Sequence, residues 1–385
     1  MPKCLMNRSA AVELEMQFQV PAWRAAGLGL VLALGCAPVP LADGERREAL
    51  RQATEQVILP TYSDLAERTA ELSQLLDELA LAPERVALSD IRQQYLATRG
   101  PLEESQAFGF GPAEELRSAA AIDQQPIDEA TIDAELAGTA ELTAQRLSSI
   151  GANKRGLHAI EYLLFPEDDP ELEAALRDAS EPGARRRQFL AAAAALVAKN
   201  AGALRDAWAA DGGDYGRRFA EPGGPDSISK DVQAGLDTLL NHAVFLSEVV
   251  ADTKLGKPLG SATGGAIDPS AQESERSGAS LSDALGNLRG VRNVYFGSRD
   301  GSIGPSLSTL VRTKSPATDL RARQALDEAE ANLLAVPEPL TVALMDSPEL
   351  VTAAFEAVKT LKRVLATEVL GSLGASLKFN DNDGD

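Results

Sequence analysis

The sequence predicts an all-α protein made of two helical-bundle domains packed together. Alanine and leucine are abundant and aromatic residues make up only 4% of the chain, a balance that favours helices over strands. Between residues 228 and 250, apolar side chains recur every three or four positions, as on one buried helix face. No segment shows the alternating pattern of a strand. A chain of 385 residues is longer than one ordinary helical domain needs to be. We therefore expect an N-terminal bundle over residues 46–168 and a C-terminal bundle over residues 169–385.

Prolines and glycines divide the N-terminal bundle into four helical segments. The first is expected to be interrupted at Pro60, because proline lacks the amide hydrogen that an inner helical turn requires. The second is expected to end at Gly100-Pro101. The four predicted segments cover residues 45–79, 89–99, 127–150 and 156–165.

Three later helices are marked by an N-cap residue followed by proline, a pair that favours helix starts. These pairs are Asp169-Pro170, Ser315-Pro316 and Ser347-Pro348. Two stretches rich in glycine and polar residues, 211–225 and 256–280, are predicted to be loops. The second is long enough to be functional or mobile.

The charge of the chain restricts its partners. A formal net charge of -20 at pH 7 excludes a nucleic-acid partner, because such binding requires a cationic face. The acidity is compatible with carboxylate ligation of a cation, although an acidic surface usually serves only to keep a protein in solution.

The first 36 residues have the pattern of an export signal. An apolar run over residues 25–35 follows Arg24 and is too short to cross about 30 Å of hydrocarbon as a helix. It leads into Leu34-Gly35-Cys36, which resembles a bacterial lipoprotein cleavage site with Cys36 as the lipid-modified first residue. We therefore expect a lipid anchor at Cys36 that holds the protein on a membrane of the cell envelope, facing the periplasm. The alternative is an ordinary signal peptide that is cleaved elsewhere.

Cys4 and Cys36 are the two cysteines of the chain, so the folded body is expected to lack disulfides and cysteine metal ligands. Met16 is an alternative start that gives a signal of ordinary length. With that start, Cys4 is not part of the protein.

His158 is one of only two histidines and precedes Glu161 by three residues. At that spacing on a helix, the two side chains rise from one face with their Cβ atoms about 5–6 Å apart. They can therefore reach one cation at about 2.0–2.2 Å, and we predict that both bind a metal. One or two further ligands have to come from elsewhere. The alternative, which the spacing alone favours, is a structural ion pair.

Two other polar residues have predicted roles. His242 borders the apolar face of the 228–250 helix and is expected to be a packing residue. Arg99 is expected to neutralise a buried carboxylate, with binding of an anionic ligand as the alternative.

Several motifs resemble those of the imelysin family and follow the family's order from about residue 46 onward. Gly156-Leu-His158-Ala-Ile-Glu161 matches the family's Gly-x-His-x-x-Glu signature, and Tyr162-Leu-Leu-Phe after it is also similar. Leu102 departs from the family, which often carries tryptophan there. The other similar segments are Pro60-Thr-Tyr62, Arg99-Gly-Pro-Leu, Phe108-Gly-Phe-Gly-Pro112, Asn287-Leu-Arg-Gly-Val-Arg-Asn-Val-Tyr295 and Phe379-Asn-Asp-Asn-Asp-Gly-Asp385.

The resemblance implies an exported protein of two helical bundles that binds a metal or an iron-containing ligand and serves iron uptake or homeostasis. Iron is the expected metal, with zinc and haem iron as alternatives, since imidazole and carboxylate suit several metals. The resemblance also implies that Gly156, Tyr62, Arg99 and Tyr162 bind the ligand or support the site.

The family carries a peptidase M75 label, but the sequence holds no complete catalytic metal motif. A zinc peptidase requires three protein ligands, an open coordination position and a general base. Neither His-Glu-x-x-His nor its inverse occurs, so we predict no catalytic residue. Two alternatives to a metal-binding lipoprotein remain. One is a helical adaptor that docks a partner protein of the envelope, and the other is a metallopeptidase.

Overall fold

The computed structural model describes residues 41–165, 169–261 and 264–377, and these form helices without any strand, which confirms the all-α prediction. The predicted signal segment with Cys36 and the motif at 379–385 lie outside the described residues. The helices are α1 (Asp43–Ala53), α2 (Leu59–Leu81), α3 (Leu88–Ser105), α4 (Pro112–Glu115), α5 (Ser118–Ile122), α6 (Glu129–Ala137), α7 (Ala144–Ser149), α8 (Leu157–Leu164), α9 (Asp169–Arg177), α10 (Glu181–Trp208), α11 (Tyr215–Ala220), α12 (Val232–Glu248), α13 (Ser280–Phe296), α14 (Leu307–Lys314), α15 (Pro316–Leu334), α16 (Leu340–Asp346), α17 (Pro348–Arg363) and α18 (Leu370–Leu373).

The first predicted helix is one run from α1 into α2, joined by a π-helical stretch at Thr54–Ile58. Pro60 lies in the first turn of α2, immediately after this stretch. The wider π turn changes which amides and carbonyls are paired, so the amide hydrogen that Pro60 lacks does not end the helix. The interruption predicted at Pro60 therefore takes the form of a π turn.

The predicted end of the second helix at Gly100-Pro101 is wrong, because α3 continues to Ser105. Leu102 and Glu103, beyond the proline, are both buried. Their burial, together with an ion pair between Arg99 and Glu103 one turn apart, outweighs the local preference of proline to end a helix. This extension places Glu103 inside the protein.

The single helix predicted over 127–150 is also wrong, because this segment forms the two short helices α6 and α7. The break begins at Gly138, which has an extended conformation. The second helix starts after Thr143, whose side chain accepts a hydrogen bond from the backbone N–H of Arg146. A threonine N-cap of this kind stabilises the start of a helix by satisfying one of its free backbone N–H groups.

The three predicted starts marked by proline are confirmed by α9, α15 and α17. Within the predicted loop at 211–225 the structure adds the short helix α11. The described part of the 256–280 loop contains one 3-10 turn at Pro269–Ala271. The helix predicted at 228–250 is α12, which continues as a π-helical stretch at Val249–Gly256.

Two hydrophobic clusters hold the described residues together. One includes Leu65 and Ile160, and the other includes Leu236 and Val291, all of them inaccessible or nearly so. Burying a leucine or isoleucine side chain contributes about 1.5–3 kcal/mol. Helix α10 contributes to both clusters, so the clusters do not divide the chain at the predicted boundary between residues 168 and 169. The two-bundle division stays a prediction.

None of the described helices combines the length and the apolar character required to cross a membrane.

Candidate metal centre

Gly156 sets the position of the helix that carries the signature motif. It precedes α8 with a φ of 90°, a backbone conformation that residues other than glycine rarely adopt. A Cβ atom here would lie 2.7 Å from the carbonyl oxygen of Ile122. The glycine therefore allows α8 to start directly beside residues 122–123, which brings Asp123 next to His158.

His158 is fixed through one of its two ring nitrogens. Its Nδ1 atom lies 2.9 Å from Oε2 of Glu161, the pair predicted from the sequence. The other carboxylate oxygen of Glu161 accepts hydrogen bonds from the backbone N–H of Ser277 at 2.9 Å and from its hydroxyl at 2.6 Å. Both oxygens of Glu161 are thus engaged, and the imidazole has one defined orientation.

The opposite ring nitrogen, Nε2 of His158, is buried and has no hydrogen-bond partner among the described residues. It lies 3.4 Å from Oδ1 of Asp123 and 3.6 Å from Oε1 of Glu273. Burial would lower the pKa of His158, but the carboxylates around the ring outweigh it and raise the pKa to about 10. Without a metal, the ring is therefore protonated at neutral pH.

Asp123, His158 and Glu273 can direct one ligand atom each toward a common point, since these atoms lie within 4.8 Å of one another. Two ligands bound tetrahedrally at about 2.1 Å are about 3.4 Å apart. The separations from Nε2 to the two carboxylates are close to that value.

Arg99 lies at the centre of the buried ion pairs. Its buried guanidinium contacts four carboxylates. It therefore neutralises buried carboxylates, which is the first of the two roles predicted for it. These contacts are Asp123 at 2.5 Å, Glu103 at 2.6 Å, Asp283 at 2.6 Å and Glu273 at 3.1 Å.

Lys254 supplies a second buried cation from the π-helical stretch after α12. Its Nζ atom lies 2.9 Å from Oε2 of Glu103 and 2.9 Å from Oε2 of Glu273. Burial raises the pKa of Glu103 to about 8, although Lys254 opposes the shift. The pKa of Glu273 shifts the other way. Burial alone would raise it, but Lys254, His158 and Arg99 outweigh burial and hold the pKa of Glu273 well below the usual range.

The cluster carries more negative than positive groups. Five carboxylates face three groups that can be cationic, namely Arg99, Lys254 and His158. Buried charge is costly unless it is paired, so the excess favours bound cations or protons. The raised pKa of His158 indicates that a proton on this ring supplies part of the balance when no metal is bound. The five carboxylates are Glu103, Asp123, Glu161, Glu273 and Asp283.

Tyr62 and Tyr162, two of the residues predicted to support the site, lie outside the buried ionic cluster. The hydroxyl of Tyr62 donates to the carbonyl of Phe108 at 2.9 Å within an aromatic group that includes Trp208. The hydroxyl of Tyr162 is hydrogen-bonded to Asp133 at 3.1 Å, outside the buried cluster. Neither contacts the Nε2 side of His158, whereas Gly156 and Arg99 do shape the cluster.

Sequence reasoning missed Asp123, Glu273, Asp283, Glu103 and Lys254. The four-residue spacing of Arg99 and Glu103 could have identified one of them. The 256–280 loop, noted for its length, supplies Glu273, but nothing local distinguishes that glutamate from exposed ones. Asp123 and Lys254 carry no sequence signal at all.

Comparison with known proteins gives one family and several relatives. The family model described as Imelysin matches residues 58–367. Iron-regulated protein A of Synechococcus elongatus is 30% identical over 320 residues, covering 80% of this chain and 83% of that protein.

Two solved structures share the fold. An iron-regulated protein A precursor from Parabacteroides distasonis has a TM-score of 0.75 at 22% identity, covering 88% of this chain and 96% of that one. An imelysin-like protein from Psychrobacter arcticum has a TM-score of 0.69 at 16% identity, covering 89% of this chain and 100% of that one.

Proposed function

The chain belongs to the imelysin family, and we propose that it binds a metal ion at Nε2 of His158 together with Asp123 and Glu273. The observation that carries this proposal is the buried Nε2 atom, which has no hydrogen-bond partner while two carboxylates lie 3.4 and 3.6 Å away. A buried polar atom without a partner is rare in folded proteins and points to a ligand.

The residues present fit a metal. Imidazole suits iron, zinc, copper and nickel, and carboxylate oxygens also bind divalent cations, so these three side chains can hold a transition-metal ion together. Glu161 then acts on the metal indirectly, because it holds Nδ1 and orients the ring, as partners of ligating histidines usually do. In this proposal Asp123 and Glu273 take the ligand role that the sequence pattern assigned to Glu161. When bound, the ion supplies positive charge to a cluster with excess carboxylates.

We propose iron as the physiological metal. Two similar proteins are named iron-regulated protein A, and the ligand set suits iron as well as zinc. The side chain of His158 is only 3% exposed, which favours a bare ion over haem, since an axial haem ligand requires an open face. A role in iron uptake or homeostasis follows as part of the proposal.

The proposed location is the cell envelope, with a lipid anchor at Cys36 and the folded body facing the periplasm. Its support is the sequence pattern before Cys36. Labelling with radioactive palmitate in a bacterial host tests it: the wild-type chain is expected to incorporate lipid and Cys36→Ala is not. Equal labelling of both would contradict the anchor.

Calorimetric titration of the purified chain with zinc, ferric and anaerobic ferrous ions tests the metal site. We expect one ion per chain for the wild type and loss of binding for His158→Ala. His242→Ala is the matched control, since it removes the other histidine. Its ring packs on Phe110, outside the cluster, so this variant should bind as the wild type does.

The adaptor alternative predicts a different result. If His158 and Glu161 form only a structural pair, the wild type binds no ion and His158→Ala merely lowers the unfolding temperature. That outcome would overturn the proposed metal site.

A further inference from the structure

Helix α13 contacts the ionic cluster through Asn287 and lines a separate surface pocket with other residues. Asn287 donates to the backbone carbonyl and to the carboxylate of Glu103, at 2.9 and 2.8 Å. Gly290 lets the helix approach α3, because a Cβ atom there would lie 2.4 Å from the carbonyl oxygen of Glu104. The pocket has a volume of about 490 Å³, which is within the range of small-molecule sites.

Three arginines line this pocket, although the chain has a formal net charge of -20. Arg289 and Arg292 lie three positions apart on α13, so their Cβ atoms are about 5–6 Å apart on one face of the helix. Arg299 comes from the segment after the helix. Among the described residues that line the pocket, Glu104 and Asp300 carry carboxylates, so the cationic side chains outnumber the anionic ones.

Arg289 has an exposed guanidinium without a salt bridge or hydrogen bond in the described part of the chain. Its charge nevertheless acts inside the pocket. Burial raises the pKa of Glu104, and the positive charges of Arg299 and Arg289 oppose that shift. A guanidinium has five N–H donors and no acceptor, so Arg289 is free to bind an anion that enters the pocket.

Arg292 and Arg299 are held in place by carboxylates but keep unused donors. Arg292 is held through Nη2 alone, and Arg299 through Nε and Nη2, at distances of 2.6–3.2 Å. Nη1 of each arginine donates no hydrogen bond to a described residue. Side chains that are already ordered lose little conformational entropy when a ligand binds. The anchoring carboxylates are Asp327 and Glu330 for Arg292, and Asp64 and Glu104 for Arg299.

We propose that this pocket binds a small organic polyanion that carries two or three carboxylates. Guanidinium groups bind carboxylates through paired hydrogen bonds and are well suited to this role. A single phosphate is much smaller than the pocket, whereas a ligand with several separate anionic groups can meet all three arginines. The inference goes beyond the proposed metal site and does not depend on it, because none of the three arginines contacts His158, Asp123 or Glu273 within the described structure.

Calorimetric titration of the purified full-length chain with citrate at low salt tests the proposal. Acetate and inorganic phosphate, titrated separately, test whether one anionic group is enough. Arg289→Ala and Arg289→Lys change an exposed side chain, and circular dichroism checks that the helices persist. Arg85→Ala is the matched control, since Arg85 is also exposed and its carboxylate neighbour is Glu84 at 3.9 Å. His158→Ala tests whether citrate binds through an ion at the metal site instead.

We expect one citrate per chain for the wild type, Arg85→Ala and His158→Ala, and far weaker binding of acetate and phosphate. Arg289→Ala should weaken citrate binding about 10–100-fold, as expected for lost hydrogen bonds to a charged group. Arg289→Lys should recover only part of the affinity, because an ammonium keeps the charge but lacks the planar fork.

Three results would overturn the proposal. The first is the absence of saturable citrate binding, and the second is equal affinity in the wild type and Arg289→Ala. The third is loss of citrate binding in His158→Ala, which would assign the citrate to an ion at the metal site. Phosphate or acetate that binds as tightly as citrate would overturn the assignment to a ligand with several carboxylates. A wild type that binds citrate but no metal would overturn the proposed function and leave this inference intact.

Discussion

His158 is held by a hydrogen bond at one ring nitrogen and lacks a partner at the other. In an ordinary buried ion pair, both nitrogens of a protonated ring would be expected to donate good hydrogen bonds. Here the contacts of Nε2 are 3.4 and 3.6 Å, long for hydrogen bonds but suited to ligands that share an ion. This geometry supports the proposed metal site over a purely structural pair of His158 and Glu161.

Glu161→Gln should weaken metal binding without abolishing it. The amide cannot both accept from His158 and accept twice from Ser277 with the same strength, so the imidazole loses its fixed orientation. Replacement of such an orienting partner typically lowers metal affinity about 10–100-fold. Calorimetric titration should show this loss at unchanged stoichiometry. Glu84→Gln, a change at an exposed glutamate, should bind as the wild type does. A complete loss of binding by Glu161→Gln would instead indicate that Glu161 is a direct ligand.

Tyr95→Phe should be neutral or stabilising in the metal-free protein. The Tyr95 hydroxyl is buried and has no hydrogen-bond partner among the described residues. Removal of an unsatisfied buried hydroxyl avoids a desolvation cost of about 1–3 kcal/mol. Urea unfolding followed by circular dichroism measures the change. A loss of more than about 1 kcal/mol would reveal a partner for this hydroxyl.

At the scale of helices and loops, the sequence predicted α8 and its His158–Glu161 pair because both depend on local spacing. The partners of that pair are not local. Ser277, which binds Glu161, lies 116 positions further along the chain. Asp123 and Glu273 acquire their roles only when α8 packs beside residue 122 and the 264–279 segment closes over it. No pattern within either segment could have indicated this.

The ends of the longer helices show the same contrast between local sequence patterns and contacts with distant residues. Proline at position 101 predicts a helix end by its own chemistry, yet burial of Glu103 against Arg99 and Lys254 extends α3 beyond it. Tertiary ion pairs of this kind override local preference. The N-caps at Ser315 and Thr143 act within three residues, although only the first is marked by a following proline.

Gly156→Ala should destabilise the protein through the start of α8. The φ of 90° and the carbonyl of Ile122 at 2.7 Å leave no room for a methyl group. We expect a loss of about 1–3 kcal/mol in the free energy of unfolding, measured with urea. Gly202→Ala is the control, because Gly202 lies within α10 and has open space around it. That change should instead stabilise the protein by about 0.5–1 kcal/mol. Equal effects at the two glycines would contradict this account of α8.

At the scale of the whole molecule, the ionic cluster joins distant parts of the chain. α3 and α8 contribute from the first half, and the π-helical stretch, the 264–279 segment and α13 contribute from the second. A ligand that binds only the folded cluster therefore stabilises both halves together. At a free concentration of about 100 times Kd, the stabilisation is about 2.7 kcal/mol.

The free energy of unfolding of the whole molecule should also depend on pH through the titration of His242. Burial lowers the pKa of His242 to about 4, whereas the unfolded residue titrates near 6.5. Between these values the unfolded chain binds a proton that the folded protein does not. The stability from this group is therefore complete above pH 6.5 and is lost as the pH falls toward about 4.

The comparison with His242→Gln isolates this group, because contributions from all other titrating residues are common to both proteins. From about pH 7.5 to about pH 5, the wild type should lose about 1–2 kcal/mol more of its unfolding free energy than the variant. Urea denaturation at the two pH values measures the difference. Parallel losses in both proteins would show that His242 is not buried in its neutral form.

Anomalous X-ray diffraction from crystals loaded with zinc or iron tests the central claim most directly, because it locates the ion itself. The account predicts one strong peak about 2.0–2.2 Å from Nε2 of His158, with oxygens of Asp123 and Glu273 as neighbouring ligands. A peak bonded to Glu161, or the absence of any peak within the buried cluster, would contradict it.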